Sequence, residues 1–177
     1  LSLAGYLEEH TDHEVEVIDA QPPGWSYEEL AQQIAQRSFD VCGITAMTFT
    51  LIDVIKTCRV VRRVNPQCSI VLGGAHVHLF PDETIRLPEV DYLIQGEGEI
   101  TFADFLDKLD DPARLAKVPG LVYMDAKGKV VNNGISPSTK DLDRLGIPAR
   151  HKLDVGMYTS LLGRDDIITT MFTSRGC

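Results

Sequence analysis

Apolar residues over the first two thirds of the chain switch repeatedly between helical and strand spacing. Leu3, Ala4 and Leu7 form a short helical stripe that ends near His10, and Val15 to Ile18 is a β-branched run that reads as a strand. Ser26-Tyr-Glu-Glu29 carries the capping-box pattern and leads into Tyr27, Leu30, Ala31, Ile34 and Ala35 at helical spacing. Asp40 to Thr45 reads as a buried strand. Leu51, Val54, Ile55, Cys58 and Val61 form the next helical stripe, which Asn65-Pro66 terminates. Ser69 to Leu72 is a strand that runs straight into Gly73-Gly74, and Pro81 to Leu87 reads as a short helix. Val90 to Ile94 is a further strand. Gly96-Glu-Gly-Glu99 then opens a helix with Phe102, Phe105, Leu106 and Leu109 on one face.

This alternation predicts an α/β domain with a parallel sheet and helices on both faces. The strands are continuous apolar runs, as strands covered on both sides allow. A doubly wound, flavodoxin-like sheet of Rossmann type satisfies both conditions. Such domains begin with a strand in the middle of the sheet, whereas this sequence opens on a helix, so the expectation is a sheet lacking its first strand. Beyond Leu109 the pattern changes. Gly120 to Met124 and Lys129 to Val131, joined by Asp125-Ala-Lys-Gly128, predict a β-hairpin. Residues from Asn132 to Gly163 show little periodicity and read as an extended linker or wrapping segment. Ile167 to Thr173 is β-like and leads to Cys177. The expected divisions are a ligand-binding domain over 1–118, hairpin and linker over 119–165, and the start of a further domain over 166–177.

Composition narrows the functions available. A net charge of −9 disfavours nucleic acid, whose phosphates need clustered Lys and Arg. The densest basic spot, Arg59 with Arg62 and Arg63, falls on what reads as a solvated helix face. No apolar run reaches the roughly 20 residues that span a bilayer, so no membrane partner is expected. Cys42, Cys58 and Cys68 lie singly inside predicted elements and read as small buried hydrophobes, which suits a reducing, cytoplasmic setting.

Ligands of doubly wound sheets bind beyond the carboxyl ends of the strands. Three loops leave strands there: Thr45-Ala-Met-Thr-Phe-Thr50, Gly73-Gly-Ala-His-Val-His78 and Gln95-Gly-Glu-Gly-Glu99. Thr45, Thr48 and Thr50 supply small hydroxyls, and Gly73 and Gly74 let backbone approach a bulky ligand. Glu97 and Glu99 read as helix-start residues rather than acid/base catalysts. His76 and His78 are separate histidines of a kind more often packed or solvent-facing than metal-ligating. A phosphorelay receiver shares the topology but needs an Asp at the third strand's end and a Lys after the fifth. Thr45-Ala46 and Gln95-Gly96 stand there instead, which excludes it.

A hydroxyl loop at Thr45-Ala46-Met47 and the pair Gly73-Gly74, with residues 48 to 72 between them, resemble the hallmarks of cobalamin-binding domains. The run IVLGGAHVHLFPDETIRLPEVDYLIQGEGEITFADFL is similar to radical-SAM proteins that carry such a domain at their N-terminus. The resemblance extends through IPARHKLD. It implies that the hydroxyl loop contacts the displaced nucleotide tail of cobalamin and that the glycines line its channel. The cofactor-binding set it implies is Thr45, Ala46, Met47, Thr48, Gly73, Gly74, His76, Gly96 and Glu97. A bulky residue in the glycine pair, such as Gly74→Val, is expected to abolish corrinoid retention and leave the fold soluble.

Methionine-synthase-like relatives place a cobalt-ligating His after their first strand. That stretch lies before residue 1 or is absent, which leaves the lower ligand open. At the other end, Thr-Ser-Arg-Gly-Cys177 resembles the approach to the Cys-x-x-x-Cys-x-x-Cys motif that binds a 4Fe-4S cluster and S-adenosylmethionine. Cys177 stands as the first iron ligand, with the other two beyond it. The resemblance implies a B12-dependent radical-SAM methyltransferase or cyclase acting on a small molecule, similar to the anaerobic magnesium-protoporphyrin IX monomethyl ester cyclase subfamily. This chain alone is not expected to be active. The rival reading is a vestigial Rossmann-like domain that braces the radical-SAM barrel and binds no corrinoid.

Overall fold

The computed structural model describes residues 1–158 together with Thr169, Met171, Ser174 and Arg175. Cys177 and most of the expected strand over 167–173 lie outside the described residues. In chain order the helices are α1 (Ser2–His10), α2 (Tyr27–Ala35), α3 (Leu51–Val64), α4 (Ala75–Leu79), α5 (Pro81–Thr84), α6 (Gly98–Leu106) and α7 (Pro112–Leu115). The strands are β1 (Val41–Thr45), β2 (Ser69–Gly73), β3 (Tyr92–Ile94), β4 (Leu121–Met124) and β5 (Val130–Asn132). They belong to two compact units, one of Ser26–Thr139 and one of Leu1–Trp25 with Lys140–Cys177.

The larger unit holds one sheet in the order β1-β2-β3-β4-β5. β1, β2 and β3 are parallel, as the continuous apolar runs required. Side chains alternate across a strand, yet Ile70, Val71 and Leu72 are all buried, so both faces of β2 are covered. β4 and β5 form the expected hairpin, and β4 pairs antiparallel with β3, so the hairpin extends the parallel sheet. α2 begins at a complete capping box: the Ser26 hydroxyl accepts from Glu29 N–H at 3.2 Å, and the Glu29 carboxylate accepts from Ser26 N–H at 2.8 Å. α2 packs on α3 and α3 on β1, while α6 packs on β3.

β1, expected as a buried strand, ends the strand order of the sheet, and none of its residues is fully buried. Two further expectations are corrected. Val15 to Ile18 forms no strand, because a β-branched run needs a neighbour to complete a ladder and finds none among the described residues. Side chains hold that stretch instead: Lys152 Nζ donates to Val15 O at 2.7 Å, and the Tyr158 hydroxyl to Asp19 Oδ2 at 2.7 Å. Second, residues 75–79, expected as loop, coil into α4, and the helix expected over 81–87 shortens to α5. In the smaller unit, α1 and the segment after Lys140 meet closely. Ala149 N–H donates to Leu1 O at 3.2 Å, and a Cβ on Gly5 would fall 2.1 Å from Ile147 O.

Arg62, read as solvated, is a brace at the amino end of the parallel strands. Its guanidinium donates to Pro66 O (3.0 Å), Cys68 O (2.8 Å), Glu89 O (3.2 Å) and the Asp91 carboxylate (2.5 Å). Asp91 also accepts from Ile70 N–H at 2.7 Å, which ties β2 to the start of β3. Two of the three arginines of the basic spot are thus engaged within the fold, Arg59 pairing with Glu89. Cys42, Cys58 and Cys68 are free thiols, and burial pushes the Cys58 and Cys68 thiols up to about 12. They stay protonated and unreactive at neutral pH.

Arg62→Ala removes several charge-assisted bonds and is expected to lower the unfolding free energy by about 2 kcal/mol, read by urea denaturation. Alkylation at pH 7.5 is expected to leave Cys58 and Cys68 unmodified in the native chain and to label both once it is unfolded, as mass spectrometry would show.

Candidate functional site at the carboxyl rim

β1 and β2 end together. Thr45 is the direct register partner of Gly73, so the hydroxyl loop and the glycine loop rise from one rim of the sheet. Two backbone bonds stitch them: Ala46 N–H donates to Gly73 O at 2.7 Å, and His76 N–H donates to Ala46 O at 3.1 Å. Ala46 is buried by this crossing, whereas Thr45, Met47 and Thr48 are exposed. The loop is closed on itself by Thr50, whose hydroxyl accepts from Met47 N–H (3.3 Å) and donates to Met47 O (3.1 Å).

The paired glycines have different reasons to lack a side chain. Gly74 sits at φ +102, and a Cβ there would lie 2.7 Å from Ala46 O and 3.2 Å from Thr45 Cγ2. Both the backbone conformation and the Ala46 crossing demand glycine, so a bulky residue at 74 strains the fold as well as the channel. A Cβ on Gly73 would meet only Ile94 O, at 3.9 Å. That is an ordinary contact, so position 73, between Thr45 of β1 and the end of β3, admits a Cβ without a clash.

The third loop closes on the chain itself. Gln95 N–H donates to Gly120 O at 2.8 Å, and Gln95 O accepts from Ser136 N–H at 2.9 Å. Gly96 has φ +90, and a Cβ there would lie 2.9 Å from Ser136 O. Glu97 occupies the N-cap position of α6 without capping it; its carboxylate accepts from Thr139 N–H at 2.8 Å. The segment 133–139 thus straps across the end of β3, and Ser136 is buried with its hydroxyl 2.8 Å from that of Thr101. His76 is buried, with Nδ1 3.2 Å from Thr48 Oγ1 and its ring against Phe80. His78 is exposed.

The structure therefore brings Thr45, Ala46, Met47, Thr48, Gly73, Gly74 and His76 together. Gly96 and Glu97 stand on the neighbouring loop, engaged with the strap. Two contributors, Phe80 and Ser136, escaped the sequence reading. Gln95, which opens the third loop, is buried at the strand end. Phe80 and Ser136 reach the region through α4 and the strap, neither of which has a periodic pattern. Large apolar side chains also stay exposed on the same loops: Phe49 is 85% and Leu79 63% accessible.

The B12 binding domain family matches residues 1–106. The chain belongs to that family. An uncharacterized methyltransferase of Pyrococcus horikoshii is 31% identical over 168 residues, covering 94% of this chain and 36% of the relative. The anaerobic magnesium-protoporphyrin IX monomethyl ester cyclase of Rubrivivax gelatinosus is 31% identical over 147 residues, covering 81% of this chain and 26% of the cyclase. This B12-binding domain thus spans about a quarter to a third of these curated relatives. Among solved structures, the radical S-adenosylmethionine methyltransferase TsrM from Kitasatospora setae, with cobalamin and a 4Fe-4S cluster bound, superposes with a TM-score of 0.65 at 20% identity. That match covers 77% of this chain and 28% of TsrM. OxsB, a cobalamin-dependent S-adenosylmethionine radical enzyme, gives 0.60 at 24% identity over 77% of this chain and 19% of its own. These two likenesses show the fold.

The glycines make opposite predictions. Gly74→Ala is expected to cost about 1–3 kcal/mol of unfolding free energy. Gly73→Ala is expected to stay within about 0.5 kcal/mol of the parent, as for a substitution that meets no clash. Chemical denaturation of the two variants checks the contrast.

Proposed function

We propose that this domain holds cobalamin by its nucleotide tail at the rim where Thr45 pairs with Gly73. The pairing of exposed Thr45 with Gly73, where a Cβ would meet nothing closer than 3.9 Å, carries the proposal, because a side-chain-free floor beside hydroxyl residues suits a flat, polar-edged group. Thr45 and Thr48 offer hydroxyls to the tail, while Ala46, Met47, Gly73 and Gly74 present backbone at close range. Gly96 and Glu97 form the far border through the strap they hold, and His76 supports the rim from beneath. The exposed Met47, Phe49 and Leu79 offer apolar surface at the same edge for a macrocycle. The donor set fits the vitamin.

We further propose that the domain serves a larger radical-SAM enzyme that carries out methyl transfer or oxidative cyclisation on a small molecule in the cytoplasm. Relatives named as methyltransferases and as a cyclase support this reading, as do the free thiols of Cys42, Cys58 and Cys68, which suit a reducing compartment. Cobalamin supplies a cobalt centre that carries a methyl group or electrons. Cys177 is proposed as the first thiolate ligand of the 4Fe-4S cluster, since soft, charged sulfur suits iron, with S-adenosylmethionine bound there.

The test is to incubate the purified chain with hydroxocobalamin, desalt it and record its visible spectrum. The parent is expected to retain the corrinoid, and Gly73→Leu to lose it without a change in thermal midpoint. Thr45→Ala is expected to bind about fivefold more weakly, the worth of one hydrogen bond. A parent chain that retains no corrinoid contradicts the proposal and favours a domain that only braces a barrel.

A further inference from the structure

His76 lies where the two rim loops cross, and its position asks what a buried imidazole does there. The residue is 6% exposed, its ring packs against Phe80 with centroids 5.3 Å apart, and its Nδ1 faces Thr48 Oγ1 at 3.2 Å. Thr48 itself is exposed and opens the short 3-10 turn of Thr48–Thr50 that leads into α3.

A threonine hydroxyl on a surface donates or accepts with equal ease, and its hydrogen rotates to suit. A fixed ring nitrogen removes that freedom. If Nδ1 carries the proton, Thr48 accepts from the ring and turns its own hydrogen toward the rim. If Nε2 carries it, Thr48 donates to Nδ1 and presents lone pairs to the rim. In both cases the ring decides which kind of group Thr48 can meet. The same contact clamps the loop after β1 to α4, in parallel with the His76 N–H bond to Ala46 O.

We infer that His76 is a positioning residue for corrinoid capture: it acts on the ligand through Thr48, fixing the direction of that hydroxyl and the pose of its loop. The inference rests on the reading of the rim as a cobalamin site. It distinguishes His76 from a residue that only fills space beside Phe80, and from a ligand to the cobalt.

Three variants separate these roles. His76→Phe keeps an aromatic ring for Phe80 but removes the nitrogen, His76→Asn returns an amide near the place of Nδ1, and Thr48→Val removes the hydroxyl from an exposed site where folding is not at stake. Titration of each 177-residue chain with hydroxocobalamin gives its affinity. His76→Phe and Thr48→Val are each expected to weaken binding about fivefold, with the double variant no weaker than either single one. His76→Asn is expected to recover binding to within about twofold of the parent. Without corrinoid, amide hydrogen exchange over Met47–Thr50 is expected to quicken in His76→Phe and to slow again in His76→Asn.

Parent-like binding by His76→Phe overturns the inference while leaving the cobalamin reading standing. So do losses that multiply to about 25-fold in the double variant, which mark two independent contacts. A parent chain that binds no hydroxocobalamin overturns both.

Discussion

The crossing at the end of β1 and β2 is the constraint on which the rest of the rim depends. Ala46 donates to Gly73 O and accepts from His76 N–H, so this buried residue of the hydroxyl loop is held at two points by the glycine loop. That crossing is possible only because Gly74 has no Cβ and adopts a left-handed φ. From it follow the exposure of Thr45 and Thr48 at the rim and the burial of His76 beneath the Thr48 hydroxyl. A paired-glycine motif that looks like one device is two, the first glycine leaving room for a Cβ and the second making the backbone turn.

The opposite rim shows how the same sheet is kept rigid where no ligand is proposed. There Arg62 and Asp91 spend their charges on backbone groups, joining β2, β3 and the turn after α3. The carboxyl rim keeps polar groups and large apolar side chains facing outward. This asymmetry follows the rule that parallel sheets bind at the carboxyl ends of their strands.

Much of the fold was legible because its physics is local or strictly periodic. β1, β2 and β3 were continuous apolar runs, α2 announced itself by Ser26 and Glu29, and the hairpin by the Gly128 turn. The misses share a cause: structure set by residues distant in sequence. Val15 to Ile18 has strand composition, but pairing depends on a neighbour that composition does not reveal. α4 is a five-residue turn, too short to show a helical stripe. The strap over Gly96 depends on Ser136 and Thr139, which sit in a segment without pattern. Within the site, residue types at Thr45, Gly73 and Gly74 pointed to the rim. The separate duties of the two glycines and the His76–Thr48 contact needed coordinates.

The central claim is that the vitamin's tail enters beside Gly73 at the carboxyl rim. Backbone amide shifts of the isotopically labelled chain, followed by NMR during titration with hydroxocobalamin, test it most directly. Perturbations centred on residues 45–48, 73–78 and 94–97 are the predicted result. Perturbations centred instead on the Arg62–Asp91 end of the sheet, or none at saturating vitamin, would contradict the account.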